Sequence, residues 1–124
     1  AVEAARRTPN TAQLYEPFLD MGIDLPDAIH GARQVSDQLF IIASGGIRHG
    51  MDASRCLWLG ADIAGIAGRA LRALEDENGT FHEGRLDDYL SDFIQQIKLS
   101  LFLTGNQSIA NFKKMARICQ ENSD

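Results

Sequence analysis

The chain has 124 residues, 44% of them hydrophobic and 23% charged, with a formal net charge of −5. That composition fits one small folded domain and not a disordered chain. The acidic balance argues against general nucleic-acid binding, and no apolar run approaches the ~18 residues of a membrane-spanning helix.

Residues 1–7, "AVEAARR", suit a helix already under way, broken by "TPN". The expectation is that the sequence begins inside a larger protein. Pro17 and Gly22 punctuate the mixed stretch after it, and Asp24 to Arg33 reads as a helix with Pro26 in its first turn and Ile29 and Ala32 toward a core. "LFIIAS" (39–44) is short, β-rich and continuously apolar, the pattern of a strand covered on both faces. "MDASRCLWLG" (51–60) reads as a short helix closed by Gly60 at C′, and "ADIAGIAG" (61–68) as a second buried strand.

Strand, helix and strand in this compass make a tight, right-handed βαβ unit. "RALRAL" starts a further helix that "ENGT" stops. "RLDDYLSDFIQQIKLSLFLTG" (85–105) is the clearest helix. Its Leu86, Tyr89, Leu90, Phe93, Ile94, Ile97, Leu101 and Phe102 form one apolar stripe. "SIANFKKMARI" makes a last helix, with Ile109, Phe112, Met115 and Ile118 on one face. The fold class is α/β. Two parallel strands cannot complete a sheet core, so the pattern fits the C-terminal portion of a (β/α)₈ TIM barrel. It would hold about strands seven and eight with their helices, in a fold that typically takes ~250 residues.

The chemistry-bearing stretch is "IIASGGIRHGMD". In such barrels ligands bind at the C-terminal strand ends, and a phosphate often sits between the last two loops. Backbone N–H groups reach a phosphate closely only where no side chain intervenes, which favours glycine. A helix N-terminus behind them adds partial positive charge. Ser44, Gly45, Gly46, Ile47 and Arg48 lie at the end of the first strand; Ala67 and Gly68 hold the equivalent place after the second. Either turn alone is a weak signal. Together, across a βαβ unit, they read as a clamp for one phosphate group, against the plainer reading that the glycines only permit tight turns. The GxGxxG dinucleotide pattern is absent.

The segment from Ile41 to Leu74 resembles the last two βα units of flavin-mononucleotide-dependent barrel enzymes, which share a pattern like "ASGGIRxGxDxxKAxALGAxxxG". Within them, the tail "KLSLFLTGNQSIANFKK" and the upstream "EPFLDMGIDLPDAI" are similar to the type 2 isopentenyl-diphosphate isomerases. The resemblance covers nearly the whole chain and about the last third of a family member. It implies a partial FMN-binding barrel domain over residues 1–124, with the FMN phosphate held at Gly46, Ile47, Arg48, Ala67 and Gly68. The whole enzyme would interconvert isopentenyl and dimethylallyl diphosphates by proton transfer at a reduced flavin, using NADPH and magnesium. The resemblance further implies association with the rest of the barrel or with identical subunits. The chain departs from the family at Met21–Leu25, where members carry Trp-Gly-Ile-Pro-Thr, and at Arg55, where they carry lysine. The family's magnesium-binding glutamate, its glutamine and its flavin-contacting lysine have no match here, so this chain alone is expected to be inactive. Alternatives are a part of another FMN-dependent oxidoreductase, such as a 2-hydroxy-acid oxidase, or a non-catalytic phosphate-binding remnant. The oxidases favour "GRP" after strand eight, where this chain has "AGRA".

Among other residues, His49 reads as a surface loop histidine, the alternative being one that reaches the phosphate, and His30 and His82 read as solvated. The three share no metal-ligand spacing. Asp87 and Asp88 suit a solvated helix face, and Trp58 suits helix packing. Cys56 and Cys119 lie far apart without CxxC spacing, among apolar neighbours in helical patterns, and read as buried, unbridged thiols in a reducing, cytoplasmic setting, the alternative being a disulfide; no secretory leader pattern is seen.

Overall fold

A computed structural model of the chain describes residues 16–18 and 21–121. The helix expected over residues 1–7 lies outside the described residues. A single 3₁₀ turn at Glu16–Phe18 precedes the main body. Helix α1 (Leu25–Val35) starts from Asp24 with Pro26 in its first turn, where a missing N–H costs nothing. Strand β1 (Ile42–Ser44) leads through the glycine loop into α2 (Gly50–Trp58). Gly60, at φ +112°, ends α2 in the left-handed region and turns the chain into β2 (Ile63–Gly65). Beyond β2 lie helices α3 (Gly68–Leu74), α4 (Glu83–Leu103) and α5 (Ile109–Glu121).

The two strands pair in parallel, with Ile42 opposite Ile63, Ala43 opposite Ala64 and Ser44 opposite Gly65. The α2 crossover packs on the sheet, α4 packs on α2 and α3, and α5 packs on α2. The core gathers Ile29, Ala43, Ile47, Ala53, Cys56, Ala61 and Phe93 between one sheet face and the helices.

Both strands are shorter than the sequence pattern suggests, and among the described residues neither is covered on both faces. Side chains alternate across a strand. Ala43 points into the helical layer and is 1% exposed, whereas its neighbour Ile42 is 62% exposed and Ile63, opposite it, 47%. Leu39 and Phe40 lie before the strand and are exposed. The helices cover one sheet face, and among the described residues nothing covers the other.

The helix stripes are likewise narrower than their periodicity. Of the α4 stripe only Phe93 is fully buried; Ile94 and Phe102 are exposed. On α5 the buried pair is Phe112 and Ala116, not the whole Ile109–Phe112–Met115–Ile118 face. Phe112 meets Trp58 of α2 with ring centroids 4.9 Å apart, so Trp58 serves helix packing as its position suggests. Cys56 is buried as expected, but Cys119 is exposed, because it falls on the outer side of the last turns of α5.

The base of the unit is fastened by charge. The Arg33 guanidinium donates to the carbonyls of Gly60 (2.7 and 3.0 Å) and Leu39 (2.6 Å) and to Asp62 Oδ2 (2.8 Å). Lys113 of α5 reaches the other oxygen of Asp62. The planar fork of arginine suits this multiple contact, and it ties α1, both strand entrances and α5 to one point.

Candidate functional site: the glycine loop at the strand ends

The C-terminal ends of β1 and β2 are adjacent by register, because Ser44 pairs with Gly65. The two loops leaving them therefore start side by side. Gly45 has φ +99° and Gly46 φ +78°, both in the left-handed region that glycine enters without steric cost. A Cβ built on either would meet no atom within 4 Å, so the glycines answer a backbone need and border open space. Ile47, next in the chain, is buried in the core and anchors the loop from below. Across the gap, Ala67 caps α3 without a side-chain hydrogen bond and Gly68 opens the helix.

Arg48 sits at the surface. Its backbone N–H donates to Asp52 Oδ2 at 3.1 Å and its guanidinium Nε lies 3.8 Å from the same oxygen. His49 is the N-cap of α2, and its Nδ1 accepts the Asp52 N–H at 3.3 Å. It is thus a capping residue with a half-exposed ring, more structured than a free loop histidine. His30 and His82 are exposed as expected, each beside a polar partner, Gln34 and Asp76. Asp87 and Asp88 are exposed on α4.

The N-terminus of α2 supplies less to an anion than the sequence suggests. The Gly50 N–H is taken by Gln96 Oε1 at 2.7 Å, and the Asp52 carboxylate already sits in the first turn against the helix dipole. Upstream of it, among the described residues, the N–H groups of Gly46 and Ile47 have no partner. Those two donors, the side-chain-free approach at Gly45 and Gly46, and the uncapped start of α3 at the adjoining strand end suit a phosphate group, with the exposed Arg48 next in the loop. A cleft of about 350 Å³ on the α1 side of the loop is lined by Asp24, Asp52, Arg55 and Pro26 together with Gly45 and Gly46; its two carboxylates make it the poorer place for a dianion.

Sequence reasoning placed Ser44–Arg48 and Ala67–Gly68 at neighbouring strand ends, and the register puts them there. It missed Asp52, which organises the loop from within α2, and Tyr89 and Gln96, which reach it from α4. The Tyr89 hydroxyl donates to the Arg48 carbonyl at 2.8 Å. Burial pushes the Tyr89 phenol up from its ordinary value, with Arg69 opposing and Asp52 adding to the rise. The one available signal was the clean α4 periodicity, on which Tyr89 and Gln96 stand seven residues and two turns apart. Among the described residues no group of three or more His, Cys, Asp or Glu side chains is placed to hold a metal. Among them, too, no helix is long and apolar enough to cross a membrane.

A family described as FMN-dependent dehydrogenase matches residues 23–118. The chain is 34% identical over 115 residues to the isopentenyl-diphosphate delta-isomerase of Rickettsia bellii (strain RML369-C), covering 91% of this chain and 32% of that protein. It is 33% identical over 115 residues, with the same coverage, to the enzyme of that name from Rickettsia felis. It is 35% identical over 109 residues to the one from Sulfurisphaera tokodaii, covering 88% of this chain and 28% of that protein. The chain spans about a third of the length of the curated relatives it matches. With a family match over most of its length and a glycine loop at adjoining parallel strand ends, the chain belongs to the FMN-dependent dehydrogenase family, whose fold is a TIM barrel, and within it is isopentenyl-diphosphate isomerase-like.

Proposed function

We propose that this chain is the C-terminal part of an FMN-binding barrel, about strands seven and eight, and that it holds the FMN phosphate of an isopentenyl-diphosphate isomerase. The observation that carries the reading is the pair of positive-φ glycines, Gly45 and Gly46, beside the Ala67–Gly68 turn at the end of the register-paired strand. Ser44 ends the strand, Gly46 and Ile47 donate N–H groups, Arg48 adds charge at the rim, and Gly68 closes the site from the second loop. The exposed face carrying Ile42 and Ile63 is the side on which the rest of a barrel, or an identical subunit, would pack. Bound FMN, with NADPH as its reductant and magnesium as a further cofactor, would supply the proton-transfer chemistry that interconverts isopentenyl and dimethylallyl diphosphates. This chain's residues bind and orient the cofactor's phosphate; the magnesium ligands and proton-transfer groups would come from outside it, in a cytoplasmic enzyme.

The test is a chimaera. The matching third of the Rickettsia bellii protein is replaced by this chain, and conversion of isopentenyl diphosphate is measured with FMN, NADPH and magnesium. Turnover is the expected result. A chimaera that folds and binds FMN yet does not turn over supports the second reading, another oxidoreductase of the family, which the description of the matching family favours. A folded chimaera without FMN affinity overturns both.

A further inference from the structure

The segment Arg48–Gly50, between the two positive-φ glycines and helix α2, is gripped on two sides by one helix. The Tyr89 hydroxyl donates to the Arg48 carbonyl at 2.8 Å, and Gln96 Oε1 accepts the Gly50 N–H at 2.7 Å. Between them Phe93 is buried, and its carbonyl lies so close to Gly50 that a Cβ there would stand 2.1 Å from it. Tyr89, Phe93 and Gln96 are spaced at four and three residues, so they share one face of α4. These contacts span 41 and 46 residues of sequence, and they end on the segment that sets the direction of the loop before it.

Each grip has a separate consequence. The Gly50 N–H begins α2 and has no acceptor within its own helix; without Gln96 it would turn to water or to a competing oxygen. The Arg48 carbonyl, held by Tyr89, fixes the peptide plane between Arg48 and His49 from outside the loop. With both held, the Gly46 and Ile47 N–H groups keep one orientation and need not be ordered when an anion arrives. Binding to a pre-ordered loop avoids that entropic cost.

We infer that Gln96 and Tyr89 are positioning residues for the phosphate-binding loop, acting through the Arg48–Gly50 backbone and touching no ligand themselves. The inference rests on the reading of Gly45–Arg48 as an FMN-phosphate site and adds to it the device that holds the site in shape. A purely structural role would affect every flavin equally, whereas a role in aiming the loop affects only the flavin that carries a phosphate.

The experiment is a flavin-fluorescence titration of the chimaera described above, which carries this chain, with FMN and with riboflavin, which lacks the phosphate, beside a thermal melt. The variants are Gln96→Met, which keeps length but removes the acceptor; Gln96→Glu, which restores an acceptor; and Tyr89→Phe, which removes one oxygen from a half-buried ring. The parent should prefer FMN over riboflavin. Gln96→Met should weaken FMN about tenfold, as expected for one strained or lost donor contact, with riboflavin unchanged. Gln96→Glu should recover most of that loss, and Tyr89→Phe should weaken FMN several-fold. A parent that binds both flavins equally overturns the phosphate-site reading itself. A parent that prefers FMN, with the preference kept in Gln96→Met, overturns the positioning role alone. Parallel loss of both flavins with a lowered melt overturns it too, since it marks helix packing only. Should Gln96→Met not fold, an unchanged FMN-to-riboflavin ratio in Tyr89→Phe is decisive against the inference.

Discussion

Lys113 Nζ lies 2.5 Å from Asp62 Oδ1, although 51 residues separate them, and Arg33 holds the other oxygen of the same carboxylate from a third element. With the Lys113 hydrogen bond and the donated Ile41 N–H leading, the Asp62 carboxyl is drawn down to about 2 from its ordinary 3.8. A carboxyl whose pKa falls on folding stabilises the fold above its unfolded value and loses that contribution as pH drops through its folded value.

The melting temperature should therefore hold steady, as far as this group decides it, down to about pH 4 and fall between pH 4 and 2. Asp62→Asn should remove that component of the pH profile. At neutral pH it should cost ~2 kcal/mol, because one carboxylate oxygen becomes an NH2 group that cannot accept from its cation, and the bond kept by the other oxygen loses the carboxylate charge. Parallel acid-denaturation curves of parent and variant check both statements; an unchanged profile would assign the acid sensitivity elsewhere.

Gly50 should be among the least tolerant positions of the chain. An added methyl would stand 2.1 Å from the Phe93 carbonyl and 2.8 Å from Gln96 Cβ. The first is backbone, so relief requires α2 and α4 to separate. Gly50→Ala should cost about 1–3 kcal/mol through overpacking. Gly84→Ala, in α4 with no atom within 4 Å of the new carbon, should be neutral or stabilise by about 0.5–1 kcal/mol, since alanine suits a helix better than glycine. Urea denaturation of both variants gives the comparison.

Gly46→Val should weaken FMN binding more than it weakens the fold. At φ +78° a β-branched residue is strained, and its side chain would project into the open space before the loop. The fold should lose about 1–3 kcal/mol to strain. FMN binding should drop further, by several kcal/mol if the phosphate is displaced from two charge-assisted N–H contacts. Trp58→Ala should behave in reverse, losing ~3–4 kcal/mol of stability from the Phe112 contact while keeping the preference for FMN over riboflavin. Flavin titrations beside thermal melts decide the matter; parent-like FMN affinity in Gly46→Val would place the phosphate elsewhere.

The two thiols should differ in reactivity. Cys56 is buried, and burial, reinforced by the Asp52 charge, pushes its thiol up from the ordinary value. Cys119 is exposed on α5. A maleimide reagent at about pH 7.5 should label Cys119 within minutes in the folded chain and reach Cys56 only on unfolding. Peptide mapping of the labelled chain at successive times checks the order.

What the sequence determined by itself was local. Gly45 and Gly46 marked a turn and Gly60 a helix end, Pro26 marked a helix start, and the 3.6-residue period of residues 85–103 announced α4, because steric permission and periodicity are written in neighbouring residues. The small-residue turns at Gly45–Gly46 and Ala67–Gly68 were legible as one feature for the same reason: two strands joined by a short helical crossover have little choice but to lie parallel and end together. Burial was not legible. "LFIIAS" reads as a doubly covered strand, yet Ile42 and Ile63 are exposed, since coverage depends on what packs on a face and not on how apolar the face is. Nor were the long-range grips: Asp62 with Lys113, Gly50 with Gln96, and Arg48 with Tyr89. Each joins residues more than forty positions apart through a side chain whose type alone does not name its partner. Only the packing angle of α4 and α5 across α2 brings those atoms within hydrogen-bonding distance, and that angle is set by the summed fit of many side chains, Phe93, Phe112 and Trp58 foremost.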